Sequence, residues 1–250
     1  MKKLTAILLA LAFALSLTGC GEEGTAYVEA QSVKAEGYDA ARTRLADSGC
    51  SDGFISMLTA DELEFAASAD SVNVCSECFS LSRGTLPERI SAGEYAGMDG
   101  TRMMLTVATL GDGDLFRMYA YAEMPEPPRS RQEQCLGIDD YIWSYFCYVP
   151  NSQTGRAQYT DADTQTVYEP EGLSAGMSDF TFTLPRESGA RDFRALFSVD
   201  TRVMLYSTPC IADATAWYTY GENRASTYMG FEYLAEEYWQ PDDTGGEVMA

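Results

Sequence analysis

The sequence predicts a mainly β chain, an antiparallel β-sandwich or barrel-like domain with a small N-terminal helical pair. From Ser80 onward the hydrophobic pattern changes from a period of about 3.6 residues to a period of about 2, which is typical of strands with one buried face. Gly, Pro, Asp and Asn residues separate the short strands, as they do in all-β domains. With 46% hydrophobic and 12% aromatic residues, the chain has enough apolar material for a buried core.

The first twenty residues combine a basic start, an apolar run and a cysteine. Lys2 and Lys3 precede an apolar run from Leu4 to Leu17 that is short for a membrane span. Residues 17–20, Leu-Thr-Gly-Cys, resemble the lipobox of bacterial lipoprotein precursors. The resemblance implies that residues 1–19 are a cleaved signal peptide and that Cys20 carries the lipid (a diacylglyceryl group, commonly with palmitate). It also implies a location on the outer side of the cell membrane, with the membrane as a partner through the anchor.

Two helices are predicted after a polar tether that includes Cys20 and extends over residues 20–36. In the first helix, Tyr38, Ala41 and Leu45 recur at helical spacing, and Gly49 stands where a glycine often ends a helix.

The second predicted helix covers about residues 60–69 and has the sharper start signal. Thr59 is the expected N-cap, and Glu62 completes a capping box. We expect Leu63 and Ala67 to form its buried face, with Phe65 or Ala66 at the margin. Together the two helices predict a small helical subdomain over residues 37–80.

The β domain is predicted over residues 81–234. Thr101–Leu110 and Leu115–Met124 flank two turn glycines and predict a hairpin. Val199-Asp200 is interpreted as the turn between two further strands. Residues 235–250 are predicted to form a C-terminal tail, whose polar part from Pro241 onward is expected to be disordered. The other expected strands are 141–149, 156–160, 164–168, 180–184, 193–198, 201–207, 216–220 and 226–233.

Charge and composition exclude several classes of function. The chain has 38 acidic and 17 basic residues and a formal net charge of −21, so we expect no nucleic-acid partner. It contains no histidine, which excludes Ser-His-Asp and Cys-His nucleophile systems and histidine-based metal sites. No catalytic residue, metal site or cofactor is assigned from the sequence.

The six cysteines other than Cys20 form an even set, which in an exported chain predicts a disulfide framework. Buried thiols are the alternative. The single Cys75-x-x-Cys78 motif lacks a second pair, so a local disulfide or two independent disulfides is favoured over zinc or redox chemistry. The disulfide candidates are Cys50, Cys75, Cys78, Cys135, Cys147 and Cys210.

One acidic segment begins like a calcium loop but does not continue as one. Asp161-Ala-Asp163-Thr-Gln165 is followed by Thr166 where the loop requires glycine and by Gly172 where it requires glutamate. The segment is therefore interpreted as a turn with solvated carboxylates.

Aromatic residues are the remaining functional signal. Tyr119 and Tyr121 alternate with apolar residues on one predicted strand, and Trp217 and Tyr218 cannot both point inward on another. Exposed rings on a sandwich can stack on sugars or anchor a protein, although core filling is the commoner use of such residues. Tyr119, Tyr121 and Trp217 are thus the candidate ligand-binding residues.

These observations lead to one main functional hypothesis and two alternatives. The main hypothesis is a non-enzymatic, membrane-anchored lipoprotein that presents a binding face to an envelope polysaccharide or protein. One alternative is a carboxylate-dependent hydrolase of envelope glycans, because carboxylate pairs need only spatial proximity. The other is a purely structural envelope lipoprotein.

Overall fold

The computed structural model describes residues 37–81, 86–97, 101–126, 133–140, 146–161, 164–168, 178–183, 191–203, 210–220 and 223–233. Four helices lie in this part of the chain. They are α1 (residues 37–47), α2 (Asp52–Met57), α3 (Ala60–Ser68) and α4 (Ala92–Gly97).

The described strands form two sheets, and every pairing within them is antiparallel. Sheet A has the order β2-β1-β3-β4-β10-β7-β8, and β6 also pairs with β10. Its strands are β1 (Ser71–Ser80), β2 (Glu88–Ile90), β3 (Arg102–Asp112), β4 (Leu115–Met124), β6 (Phe146–Tyr148), β7 (Thr154–Asp161), β8 (Thr164–Tyr168) and β10 (Arg191–Val203). Sheet B has the order β12-β11-β5-β9, formed by β5 (Glu133–Asp140), β9 (Asp179–Thr183), β11 (Cys210–Tyr220) and β12 (Asn223–Tyr233).

The two sheets pack face to face around the main core. Alternation along each strand sends one set of side chains inward, such as Met118, Ala120 and Ala122 of β4, and these meet Leu136 and Ile138 of β5. Apolar side chains from both sheets fill most of this core, and the polar Gln134 and Thr227 of sheet B are also buried on the inward side. The predicted fold class is therefore confirmed in its sandwich form, and the sheets do not close into a barrel.

A second core lies between sheet A and the N-terminal helices. Ala41, Leu45, Phe54 and Leu63 pack against outward side chains of sheet A, including Leu196 of β10. The architecture thus has three layers: helices, sheet A and sheet B. Because β1 begins at Ser71 and lies in the interior of sheet A, residues 71–80 belong to the sheet and not to a separate helical unit.

The helix signals read from the sequence are confirmed, with one correction. Thr59 Oγ1 accepts a hydrogen bond from the Glu62 amide, and the Glu62 carboxylate accepts one from the Thr59 amide, so the capping box is present. Gly49 has a φ of +99°, which suits a glycine after a helix end. The expectation that Ala67 is buried is wrong, because α3 turns Glu62, Leu63 and Ala66 toward the sheet instead.

The strand predictions hold for the β3–β4, β7–β8 and β11–β12 hairpins and fail at one turn. Val199 and Asp200 are not a turn but the middle of the single 13-residue strand β10. Val199 pairs with Met118, and Asp200 pairs with Arg117 on β4. A polar residue in the strand is tolerated there because the Arg117 side chain binds the Asp200 carboxylate. The helices α2 and α4 and the strands β1, β2 and β5 were not expected from the sequence.

The structure contradicts the predicted local disulfide between Cys75 and Cys78. Cys75 and Cys78 both lie on β1, where three residues of extended chain span about 10 Å, beyond the reach of a disulfide. Cys50, Cys75 and Cys78 are thiols, and the Cys135 sulfur accepts a hydrogen bond from Thr181. The side chains of Cys147 and Cys210, like Cys20, lie outside the described residues, so of the six-cysteine framework only a bond between Cys147 and Cys210 stays a prediction.

None of the helices in the described part of the chain is both long and apolar enough to span a membrane.

Candidate binding face

Tyr119 and Tyr121 point away from the inter-sheet core, as their alternation predicts, but the helices cover them. Both are fully buried beneath Phe54 of α2, whose ring meets each of theirs edge-on with centroids 5.5 Å apart. Burial raises the pKa of both phenols well above the ordinary value. The expectation that these two rings form an exposed aromatic strip is thus corrected by the structure.

A buried ion pair lies beside Tyr119, beneath α3. Arg156 of β7 binds Glu62 and also donates from Nε to the Met57 carbonyl at 2.7 Å. The Glu62 carboxylate further accepts hydrogen bonds from the Thr59 amide and hydroxyl at 2.7 and 2.9 Å. Since all these groups are used to attach α2 and α3 to sheet A, this cluster has a structural role.

A second polar cluster lies beneath α2. The Tyr121 hydroxyl donates to Glu123 Oε2 at 2.6 Å, and Arg194 donates to Ser56 at 3.2 Å. Gly53 sits directly above them, and a Cβ at that position would overlap Tyr121 Oη and Glu123 Oε2. The absence of a side chain at Gly53 therefore allows α2 to approach the sheet closely.

The outer face of sheet B contains the candidate site. The burial pattern alternates along each strand, so that the inward residues are buried and most of the outward ones are half-buried or exposed. The outward set consists of Cys135, Gly137 and Asp139 on β5, Asp179 and Thr181 on β9, Asp213, Thr215, Trp217 and Thr219 on β11, and Arg224, Ser226, Tyr228 and Gly230 on β12.

Trp217 lies flat across this face. It pairs with Gly137 of β5, and a Cβ on Gly137 would lie 2.6 Å from the indole ring. The indole Nε1–H donates to Asp139 Oδ1 at 3.1 Å. On the other side of the ring lies the Arg224 guanidinium, 4.4 Å from the ring centroid, and this group also forms an ion pair with Asp139. Trp217 therefore faces outward, but only 8% of its surface is accessible.

Tyr228 is the exposed ring on the same face, with 55% of its surface accessible. Its hydroxyl lies beside Asp213 of the neighbouring strand, and the interaction with this carboxylate is the main cause of the raised pKa of Tyr228. The hydroxyl lies 3.8 Å from the position that a Cβ on Gly230 would occupy. The ring is thus held by one polar contact while much of its surface remains available to a ligand.

The described charges on this face are mainly negative. Asp139, Asp179 and Asp213 face outward, and Arg224 is the outward cation on these strands. Since Arg224 is already paired with Asp139, the face retains an acidic excess. It would repel an anionic polymer, in line with the net charge of the whole chain.

The sequence pointed to Trp217 but missed Tyr228, although the signal was present. Within β12, Ala225, Thr227, Met229 and Phe231 are buried, and the residues between them face outward. Tyr228 is the large aromatic residue at an outward position of that alternation. The same reasoning had selected Tyr119 and Tyr121, whose cover comes from helices far away in sequence.

The described residues contain no group of three or more His, Cys, Asp or Glu side chains that could hold a metal ion. Asp163, in the segment that begins like a calcium loop, lies outside the described residues.

In comparisons with known proteins, no family model matches the chain, and the search of curated proteins found no match. The outer face of sheet B is therefore the feature of this protein that indicates a function.

Proposed function

We propose that this chain is an extracytoplasmic, lipid-anchored protein whose outer sheet-B face binds an uncharged envelope polysaccharide. The observation that carries the proposal is Tyr228, a large exposed ring whose hydroxyl lies beside Asp213 on a half-polar sheet surface. The lipobox resemblance at residues 17–20 supports the location.

The chemistry of the face suits a sugar chain. One side of a pyranose ring presents C–H groups that stack on an aromatic ring, while its hydroxyls require hydrogen-bonding partners at the ring edge. Tyr228 supplies the exposed ring, and the outward Thr215, Asp213 and Asp139 supply donors and acceptors around it. Their acidic excess favours a neutral glycan over an acidic one.

Binding is favoured over hydrolysis by what the carboxylates of this face contact. Asp139 accepts a hydrogen bond from Trp217 and pairs with Arg224, and Asp213 lies beside the Tyr228 hydroxyl. Both carboxylates are therefore engaged in orienting the aromatic and cationic groups of the face. This role requires no proton transfer and no cofactor.

The binding experiment uses the full chain in detergent and a panel of soluble neutral polysaccharides, with an acidic polysaccharide for comparison. Retardation in gels containing each polymer measures affinity. We expect at least one neutral polymer to retard the protein, and Tyr228→Ala to weaken binding by about tenfold or more, equivalent to about 1.4 kcal/mol. Tyr228→Phe keeps the ring and should retain most of the affinity.

The matched control is Leu86→Ala, which shortens another exposed apolar side chain, 74% accessible, outside sheet B. It should leave retardation unchanged. Equal mobility of Tyr228→Ala and the unaltered chain in every polymer would refute the proposed face. Release of new reducing ends from a bound polymer would instead support the hydrolase alternative.

The anchor is tested separately by Cys20→Ser. We expect the variant to leave the membrane fraction and to lose incorporation of a labelled fatty acid, because the thiol is the predicted attachment point. Unchanged retention and labelling would contradict the proposed anchor without bearing on the binding face.

A further inference from the structure

The Trp217 ring on the outer face of sheet B has one side against the sheet and the other against Arg224. The sheet side is closed by Gly137, where even a Cβ would collide with the indole. The opposite side is covered by the Arg224 guanidinium at 4.4 Å from the ring centroid. A ligand could therefore stack on Trp217 only if Arg224 moved away.

We propose that Trp217 is a second stacking subsite for the same glycan and that Arg224 is its displaceable cover. The inference rests on the proposed function, since it extends one glycan chain from Tyr228 to a second ring. Trp217 pairs directly with Ser226, two residues before Tyr228 on β12, so the two aromatic residues are diagonal neighbours on one surface.

The cover is held by contacts that are weak at a protein surface. The Arg224 and Asp139 side chains are 49% and 36% accessible, so water and salt screen their ion pair. The cation–π contact is similarly modest at an exposed site. A glycan that stacks on Trp217 must break both contacts, which lowers its affinity by about three- to thirtyfold.

Displacement leaves the other ring contacts in place. The indole Nε1–H remains bound to Asp139, and the ring remains supported by Gly137. Asp139 exchanges its contact with Arg224 for water or a sugar hydroxyl. Opening the subsite is therefore a rotation of one exposed side chain and requires no movement of the sheet.

The direct test compares Arg224→Ala with the unaltered full chain, using the neutral polysaccharide that Tyr228 recognises. If Arg224 is a cover, its removal tightens binding by about three- to thirtyfold. If Arg224 itself contacts the sugar, its removal weakens binding. Unchanged or weakened binding therefore overturns the inference, while continued dependence on Tyr228 would leave the proposed function standing.

Arg202→Ala is the matched control. Arg202 forms a comparable surface ion pair with Asp114, with side chains 41% and 35% accessible, on sheet A. Removing it makes the same change in net charge, so it should not alter affinity. A gain of equal size in Arg202→Ala would attribute the effect to charge alone and would also overturn the inference.

A second substitution assigns the gain to the ring. Trp217→Thr places on β11 the residue type that already occupies outward positions 215 and 219, and circular dichroism checks that the sheet persists. In the Arg224→Ala background it should abolish the gain. A gain that survives Trp217→Thr would refute the subsite, and the absence of glycan binding by any variant would refute both proposals together.

Discussion

The outer faces of the two sheets carry the same kinds of side chain and use them differently. On sheet A, Tyr119, Tyr121 and the Glu62–Arg156 pair are buried beneath α2 and α3. On sheet B, Tyr228 and the Arg224–Asp139 pair face solvent. A tyrosine beside a carboxylate is thus a core element on one face and a candidate binding element on the other. The comparison teaches that the layer above the sheet, and not the residue type, decides the role.

The energetic consequence of the two locations differs as well. Burying Glu62 and Arg156 removes both charges from water, and the arrangement is tolerated because both groups have hydrogen-bond partners. Arg224 and Asp139 keep much of their hydration, so little free energy is gained or lost when they meet.

The largest expected effect comes from breaking the buried pair. Glu62→Ala would leave the Arg156 guanidinium buried without its partner and would remove the capping box of α3, destabilising the fold by about 3–5 kcal/mol. Asp139→Ala removes the equivalent carboxylate on sheet B and should cost less than about 1 kcal/mol. Urea unfolding measures both. Similar losses for the two variants would show that burial does not distinguish the faces.

An intermediate effect is expected from adding one carbon at the helix–sheet contact. Gly53→Ala places a methyl group against Tyr121 and Glu123, and because Tyr121 is fully buried it should destabilise the protein by about 1–3 kcal/mol. Gly230→Ala on sheet B places its methyl 3.2 Å from an Asp213 oxygen beside open solvent, and it should change stability by less than about 0.5 kcal/mol. Thermal melts measure the loss of stability in each variant. A larger loss in Gly230→Ala than in Gly53→Ala would contradict the prediction.

The smallest effect concerns phenol ionisation. Tyr228 should ionise above the usual tyrosine pKa because the Asp213 carboxylate lies beside its hydroxyl, and Asp213→Asn should return its pKa toward the ordinary value. Tyr121 should ionise only when the fold opens, since burial and Glu123 raise its pKa further.

For the buried phenols the stability change has a definite sign. The unfolded chain ionises near its ordinary tyrosine pKa of about 10, whereas the folded chain does not, so their contribution is complete below that pH and is lost as pH rises above it. Absorbance titration of the unaltered chain and of Tyr228→Phe separates the exposed ring from the buried ones. If all tyrosines ionised together at a pH below that of the unfolding transition, the expected difference between the exposed and the buried rings would be contradicted.

Local patterns in the sequence predicted the local structure well. The capping box at Thr59 and Glu62 and the turn between β3 and β4 depend on residues a few positions apart, so their signals are complete in the sequence. The continuous strand β10 was not predicted, because Asp200 is stabilised by Arg117, a residue 83 positions away. The position of Ala67 was missed for a related reason, since the buried partner of Glu62 is Arg156, 94 positions away.

The candidate site likewise has some features that short segments determine and others that depend on segments far apart in sequence. Patterns within short segments were enough to predict a mainly β antiparallel domain, three of its hairpins and the alternation that puts Trp217 on an outward face. Only the tertiary structure decided which outward face the helices cover, and with it the burial of Tyr119 and Tyr121 and the exposure of Tyr228. The physical reason is that burial depends on what packs above a side chain. That layer is formed by segments far apart in sequence, whose partners no local period encodes.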